Sequence, residues 1–167
     1  DVNKYLSCAN KRQSMESCRE YVNSFQGYGD RALIGVFLRK GGLHIGNLTL
    51  FPPVDWDNKV GTIGISIGRK EYWKKGYARE ALTAFITYCF ETLKLHQLCA
   101  GIDGSNINSL RLFRNCRFRI KKPTHLRTLI NETAENEFYA SLCKNDYDQN
   151  PLASPLPDGE VNCLKEV

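Results

Sequence analysis

Three stretches of the chain set residue types at spacings that can do chemistry. The first is Trp73-Lys74-Lys75-Gly76-Tyr77-Ala78-Arg79-Glu80-Ala81-Leu82, a basic turn that opens an amphipathic run. A helix start presents backbone N–H groups without intrahelical partners, and the helix dipole adds positive potential there. A pyrophosphate can settle on such donors where side chains leave room. Gly76 and Ala78 leave that room, and Lys74, Lys75 and Arg79 surround it with charge. The second stretch, Asn106-Ile107-Asn108-Ser109, opens a later helix with a capping amide and a first-turn hydroxyl. The third is acidic: Asp55 and Asp57 in a loop, Glu135 and Glu137 in or beside a terminal strand pair. Each has a plainer reading. Gly76 can simply turn the chain, Asn106 can simply cap its helix, and acids on loops and strand edges are more often only solvated.

The elements that must position these residues follow from pattern. Ser14 to Phe25 carries Met15, Cys18, Tyr21, Val22 and Phe25 at helical spacing, with Ser14 placed to cap. Arg31–Leu38 and His44–Phe51 read as strands joined by the hairpin chemistry of Lys40-Gly41-Gly42. Residues 52–58 read as a loop. Val60–Ile67 is a strand with Ile63, Ile65 and Ile67 on one face and the small Thr62, Gly64 and Ser66 on the other. Gly76–Leu93 is the clearest helix, its stripe formed by Ala78, Ala81, Leu82, Phe85, Ile86, Cys89, Phe90 and Leu93. Leu95–Asp103 is a buried strand, and Ser105 or Asn106 caps a helix running to Cys116. Phe118–Ile120, Leu126–Ile130 and Glu137–Leu142 are further strands, the last two a hairpin. The Pro-, Asp- and Gly-bearing segment 148–167 reads as an extended or disordered tail after a domain of residues 1–147. The element order predicts a single α/β domain around one mixed sheet.

Composition narrows the function classes. The chain of 167 residues has a formal net charge of +5; residues from Lys144 onward hold two lysines and five acids, so the rest is the more basic part. That balance favours anionic ligands. No dense Lys/Arg stripe interleaved with aromatics argues for a nucleic-acid groove. No apolar run approaches the ~20 residues of a membrane helix, and Asp1 to Tyr5 lacks the apolar segment of a signal peptide. Seven scattered cysteines without C-x-x-C spacing, several in apolar runs (Cys89, Cys99, Cys143), read as reduced, buried thiols of a cytoplasmic protein. His44, His96 and His125 have no metal-ligand spacing, so no metal is expected.

The pairing of the two motifs resembles the acetyl-CoA core of the GNAT superfamily over residues 60–118, and more loosely over about 5–147. It is most similar to the branch containing ribosomal-protein N-terminal and amino-sugar acetyltransferases. That branch reads W-x-K-G-Y-A-x-E-A-L, matched from Trp73 to Leu82, and then N-x-x-S-x-x-L, matched by Asn106, Ser109 and Leu112. The resemblance implies a mixed sheet with splayed central strands flanked by helices. It implies acetyl-CoA as co-substrate and direct acetyl transfer to a primary amine, on a protein N-terminus, an amino sugar or a small amine, by a monomer or homodimer. Val60–Ile67 and Gln97–Asp103 would splay apart to admit the pantetheine arm. Backbone at Ile63 and Ile65, the turn Lys74, Lys75, Gly76, Tyr77, Ala78 and Arg79, and Asn106 would hold the cofactor, with Ser109 as acid toward the thiolate and Glu137, or Glu135, as base.

The chain also departs from the family pattern. Thr62 stands where many relatives carry a Glu base, Phe113 where many carry a Tyr acid, and Arg117-Phe118 where Gly-Phe is usual. The first strand and helix of the family are expected to be missing or shortened. These departures keep a second expectation in view, a non-catalytic GNAT-like module that binds acyl-CoA or a protein partner.

Overall fold

The computed structural model describes residues 14–26, 29–122 and 137–152, and residues 161–166 as backbone. Helix α1 (Met15–Asn23) starts where the sequence places it. The Ser17 N–H donates to Ser14 Oγ at 3.0 Å and the Ser14 N–H returns the bond to Ser17 Oγ at 3.0 Å, a reciprocal cap. Its apolar stripe nevertheless covers no core: no α1 residue is buried, and Met15 and Tyr21 are exposed.

Strands β1 (Ala32–Leu38) and β2 (His44–Asp55) form the expected hairpin, with Gly41 and Gly42 at φ 86° and 62°. β2 runs further than expected, through Pro52 and Pro53 to Asp55. The register is irregular between Phe51 and Asp55, which is how two residues without N–H donors are accommodated, and pairing resumes at Asp55↔Val60. The loop thus shrinks to a turn, which Asp55 closes by accepting from the Asn58 N–H at 2.9 Å and the Asn58 side-chain amide at 2.8 Å. β3 (Val60–Ile67) follows, then helix α2 (Tyr77–Thr87), which loosens into a π turn over Tyr88–Thr92. The remaining elements are β4 (Gln97–Asp103), α3 (Ile107–Asn115), β5 (Arg119–Lys121), β6 (Glu137–Cys143), α4 (Lys144–Gln149) and β7 (Val161–Glu166).

The sheet order is β5-β6-β4-β3-β2-β1-β7. Every neighbouring pair is antiparallel except β3–β4, which is parallel and therefore needs the α2 crossover between its strands. This is the expected α/β domain with one mixed sheet. α2 and the π turn after it bring Ala81, Leu82, Phe85, Ile86, Cys89 and Phe90, all fully buried, into one core with Leu48, Leu50, Ile63, Leu98, Ala100 and Ile102; Phe113 of α3 joins the same core.

The hairpin expected between 126–130 and 137–142 cannot be followed, because 126–130 lies outside the described residues. β6 pairs with β4 along its whole length and with β5 on its other edge. The domain boundary expected at 147 falls inside α4. Tyr147 is buried, with its hydroxyl 3.0 Å from Thr87 Oγ1, and Lys144 bonds Glu91 at 2.8 Å and Asp148 at 3.0 Å. Beyond it, residues 161–166 lie antiparallel to β1. A sheet edge with unpaired backbone can recruit a short segment whose local composition reads as tail.

Cys89, Cys99 and Cys116 are buried as expected, whereas Cys18 and Cys143 are exposed; Cys143 ends β6 on its open face despite its apolar neighbours. Burial pushes the Cys89 thiol up to about 12 and raises that of Cys116.

Candidate active site

β3 and β4 are paired over three positions only, Val60↔Gln97, Gly61↔Leu98 and Thr62↔Cys99. Both strands continue, β3 to Ile67 and β4 to Asp103, yet among the described residues each is then paired only on its outer side, to β2 and to β6. The two strands therefore part after Thr62 and Cys99. Among the described residues, no strand pairs with β3 on that side from Ile63 to Ile67. Ile63 is buried and Ile65 half-buried, so their side chains hold this segment in place while alternate backbone groups line the gap.

The basic turn lies at the far end of β3. Gly76 precedes α2 at φ 92°, and its carbonyl accepts from the N–H groups of Arg79 (2.9 Å) and Glu80 (3.0 Å). The N-cap is a glycine and so has no side chain to cap this helix start. A Cβ at Gly76 would meet nothing within 4 Å. The glycine is thus demanded by the left-handed backbone, and the space above the first turn is open. Lys74 is itself left-handed at φ 59°. Lys74, Lys75 and Arg79 are exposed around the opening; Tyr77 and Ala78 are half-buried. Lys75 Nζ lies 5.6 Å from the Tyr72 ring centroid, and the Tyr72 ring meets Tyr77 edge-on at 5.7 Å. These residues fit a pyrophosphate: a helix start whose N-cap carries no side chain, clearance at Gly76, and three cations.

The second motif begins α3. Asn106 is its N-cap, with Oδ1 accepting the Ser109 N–H at 3.1 Å. The cap uses only the carbonyl side of the amide. Ser109 is half-buried in the first turn. Phe113, one turn later, is buried and packs edge-on against Phe118 at 5.0 Å. Arg117 stands at φ 66°, so the glycine it replaces would have occupied a truly left-handed position; its guanidinium donates to the Asn150 carbonyl.

Of the acids, Glu137 opens β6 opposite Asp103 of β4, and its carboxylate lies over Gly101. It is exposed, at the wide end of the gap. Asp55 is occupied by its turn, whose Asn58 N–H and amide hold its carboxyl below the usual range. Asp57 is exposed in the same turn, and Glu135 lies outside the described residues. Thr62, at the last paired position, is exposed. His44 bonds Asn47 at 2.9 Å, and His96 is exposed. Gly101 was not singled out from sequence, although a glycine inside a strand is a sign of close approach.

Comparison with known proteins agrees with this geometry. The family model described as "Acetyltransferase (GNAT) domain" matches residues 1–119. "Probable N-acetyltransferase YjcK" of Bacillus subtilis (strain 168) is 23% identical over 145 residues, covering 87% of this chain and 77% of the relative. "Uncharacterized N-acetyltransferase p20" of Bacillus licheniformis is 33% identical over 69 residues, but that match spans 41% of this chain and only 38% of the relative. Among solved structures, a spermidine N-acetyltransferase SpeG chimera from Vibrio cholerae and hSSAT superposes with a TM-score of 0.72. It covers 89% of this chain and 90% of its own, at an identity of 19% that speaks to the fold alone. The chain belongs to the GNAT acetyltransferase family, whose class is that of an acyltransferase. Among the described residues, no helix is long and apolar enough to cross a membrane.

Proposed function

We propose that this chain transfers an acetyl group from acetyl-CoA to a primary amine, directly and within a ternary complex. The observation that carries the reading is the parting of β3 and β4 after Thr62 and Cys99, with the open start of α2 at its end. The cofactor's pyrophosphate would rest on the first turn of α2, among Lys74, Lys75, Gly76, Tyr77, Ala78 and Arg79. Its pantetheine arm would pair with the free edge of β3 at Ile63 and Ile65, as an added strand does. The Asn106 amide nitrogen, not used by the cap, is suited to bond the arm. Backbone N–H groups along the gap would stabilise the oxyanion that develops on the thioester carbonyl.

In the reaction the amine nitrogen forms a bond to the carbonyl carbon and loses a proton. The carbon–sulfur bond breaks, and the departing thiolate takes up a proton. Glu137, acting through water, is proposed to accept the first proton, and Ser109 to supply the second. Among the described residues, no cysteine has a histidine partner for an acetyl-enzyme route. The names of the relatives support an amine acceptor. The motif from Trp73 to Leu82 supports the ribosomal-protein and amino-sugar branch, so the acceptors to test are protein N-termini, amino sugars and polyamines. A cytoplasmic setting accords with the scattered cysteines. The test is thiol release from acetyl-CoA across that amine panel. Binding of acetyl-CoA without release for any amine would favour the non-catalytic module, which the exposed Thr62 and buried Phe113 at the familiar base and acid positions also support.

A further inference from the structure

We propose that Phe51 and Glu137 form the two walls of the acceptor seat, on the sheet face turned away from α2. The inference rests on the acetyltransferase reading above and deepens it by naming where the amine lies and what kind of amine fits. Two residues beyond the last β3–β4 pair, each strand has a glycine, Gly64 on β3 and Gly101 on β4. By strand alternation both share the face of Thr62 and Cys99, opposite the Ile63, Leu98, Ala100 and Ile102 face that α2 covers.

The space that a side chain would fill at each glycine is taken by a neighbour reaching across from the outer strand. At Gly64 it is the ring of Phe51, whose Cε2 and Cζ lie 2.7 and 3.2 Å from where a Cβ would be. At Gly101 it is the carboxyl group of Glu137, with Cδ 3.2 Å from the corresponding point. Phe51 pairs with Thr62 and leans forward to Gly64; Glu137 pairs with Asp103 and leans back to Gly101. The two diagonals converge on the same level of the sheet, one on each bank of the gap. A ring and a carboxylate facing a common opening, both accessible (Phe51 is 39% exposed), suit an ammonium group carried on an apolar stem. The stem lies along Phe51 and the ammonium reaches toward Glu137; it sheds one proton to solvent, and the neutral amine that attacks passes its next proton to Glu137 through water. The seat therefore selects aliphatic primary amines.

The experiment measures amine kcat and KM beside calorimetric acetyl-CoA affinity for wild type, Phe51→Ala, Phe51→Leu, Phe51→Trp and Glu137→Gln. Phe51→Ala is expected to raise amine KM about threefold to thirtyfold, the range of a lost ring–cation contact, with acetyl-CoA affinity unchanged. Phe51→Trp should keep KM near wild type, and Glu137→Gln should lower kcat as well as raise KM. Phe51→Leu keeps the bulk over Gly64 and carries the test if the alanine variant does not fold. Unchanged amine KM in a folded Phe51→Ala or Phe51→Leu protein overturns the seat, even if the midpoint of thermal unfolding falls, because that pattern marks packing alone. The wild-type arm reports separately on the underlying reading: acetyl-CoA that binds and is never cleaved with any amine overturns the transferase, and the seat with it.

Discussion

The indole N–H of Trp73 donates to the carbonyl oxygen of Ile67 at 2.8 Å. The residue that begins the basic turn is thereby fastened to the residue that ends the free edge of β3. This bond ties together the two places proposed above to hold a long cofactor. Trp73 is still 37% exposed, so it acts more as a tether than as core.

The start of α2 is where a cofactor anion is expected. Gly76→Asp puts a negative charge beside the first-turn N–H groups and an L side chain at φ 92°. Acetyl-CoA affinity should fall at least tenfold by calorimetry while circular dichroism shows a folded protein, since the added Cβ meets no protein atom within 4 Å. Unchanged affinity would move the pyrophosphate elsewhere.

Ser109→Ala tests the proton donor. The cap at Asn106 uses the Ser109 backbone, so the substitution leaves it intact. We expect kcat to fall by about tenfold to a hundredfold, less than the largest general-acid effects, because a thiolate is already a fair leaving group. Acetyl-CoA affinity should change little. A normal kcat would take Ser109 out of the mechanism.

Phe85 is fully buried where α2 meets the sheet. Phe85→Ala should therefore cost about 3–5 kcal/mol in denaturant unfolding, from lost burial plus the cavity left behind. A loss below about 1 kcal/mol would be incompatible with the packing described.

Arg117 pairs a strained backbone with a compensating bond. Arg117→Gly relieves about 1 kcal/mol of left-handed strain but removes the donor to the Asn150 carbonyl. The net change in unfolding free energy should stay within about 1 kcal/mol, whereas Arg117→Ala, which keeps the strain and loses the bond, should be the less stable of the two. The reverse order would show that the left-handed backbone at 117 carries no strain for glycine to relieve, since both variants lack the guanidinium.

The buried thiols make a pH prediction. Cys89 has its pKa raised from 9.0 to about 12, so the folded protein holds that proton more tightly than the unfolded chain. Below about pH 9 both states keep the proton and the group is neutral to stability; between about 9 and 12 the unfolded state alone ionises, and stability declines. In the native protein at pH 8, a thiol reagent should label Cys18 and Cys143 quickly and leave Cys89 and Cys116 untouched until denaturant is added. Rapid labelling of Cys89 in the native state would contradict its burial.

What the sequence by itself determined is the set of local decisions. The Ser14 cap, the Gly41–Gly42 turn, strand Val60–Ile67, the α2 stripe and the left-handed glycine at a helix start are governed by neighbours a few residues apart. Periodicity and backbone preference therefore express them directly. The tertiary structure decided the rest, because strand partners are chosen by edge complementarity between distant segments. Nothing near Glu137 announces that β6 will lie between β5 and β4 and bring that carboxylate over Gly101. Nothing near Phe51 announces that β2 will run on to Asp55 and hold a ring over Gly64. The same physics explains what local pattern leaves open: α1 forms where its spacing and cap place it, yet none of its residues is buried, and residues 161–166 look like a tail until the open edge of β1 supplies their backbone with partners.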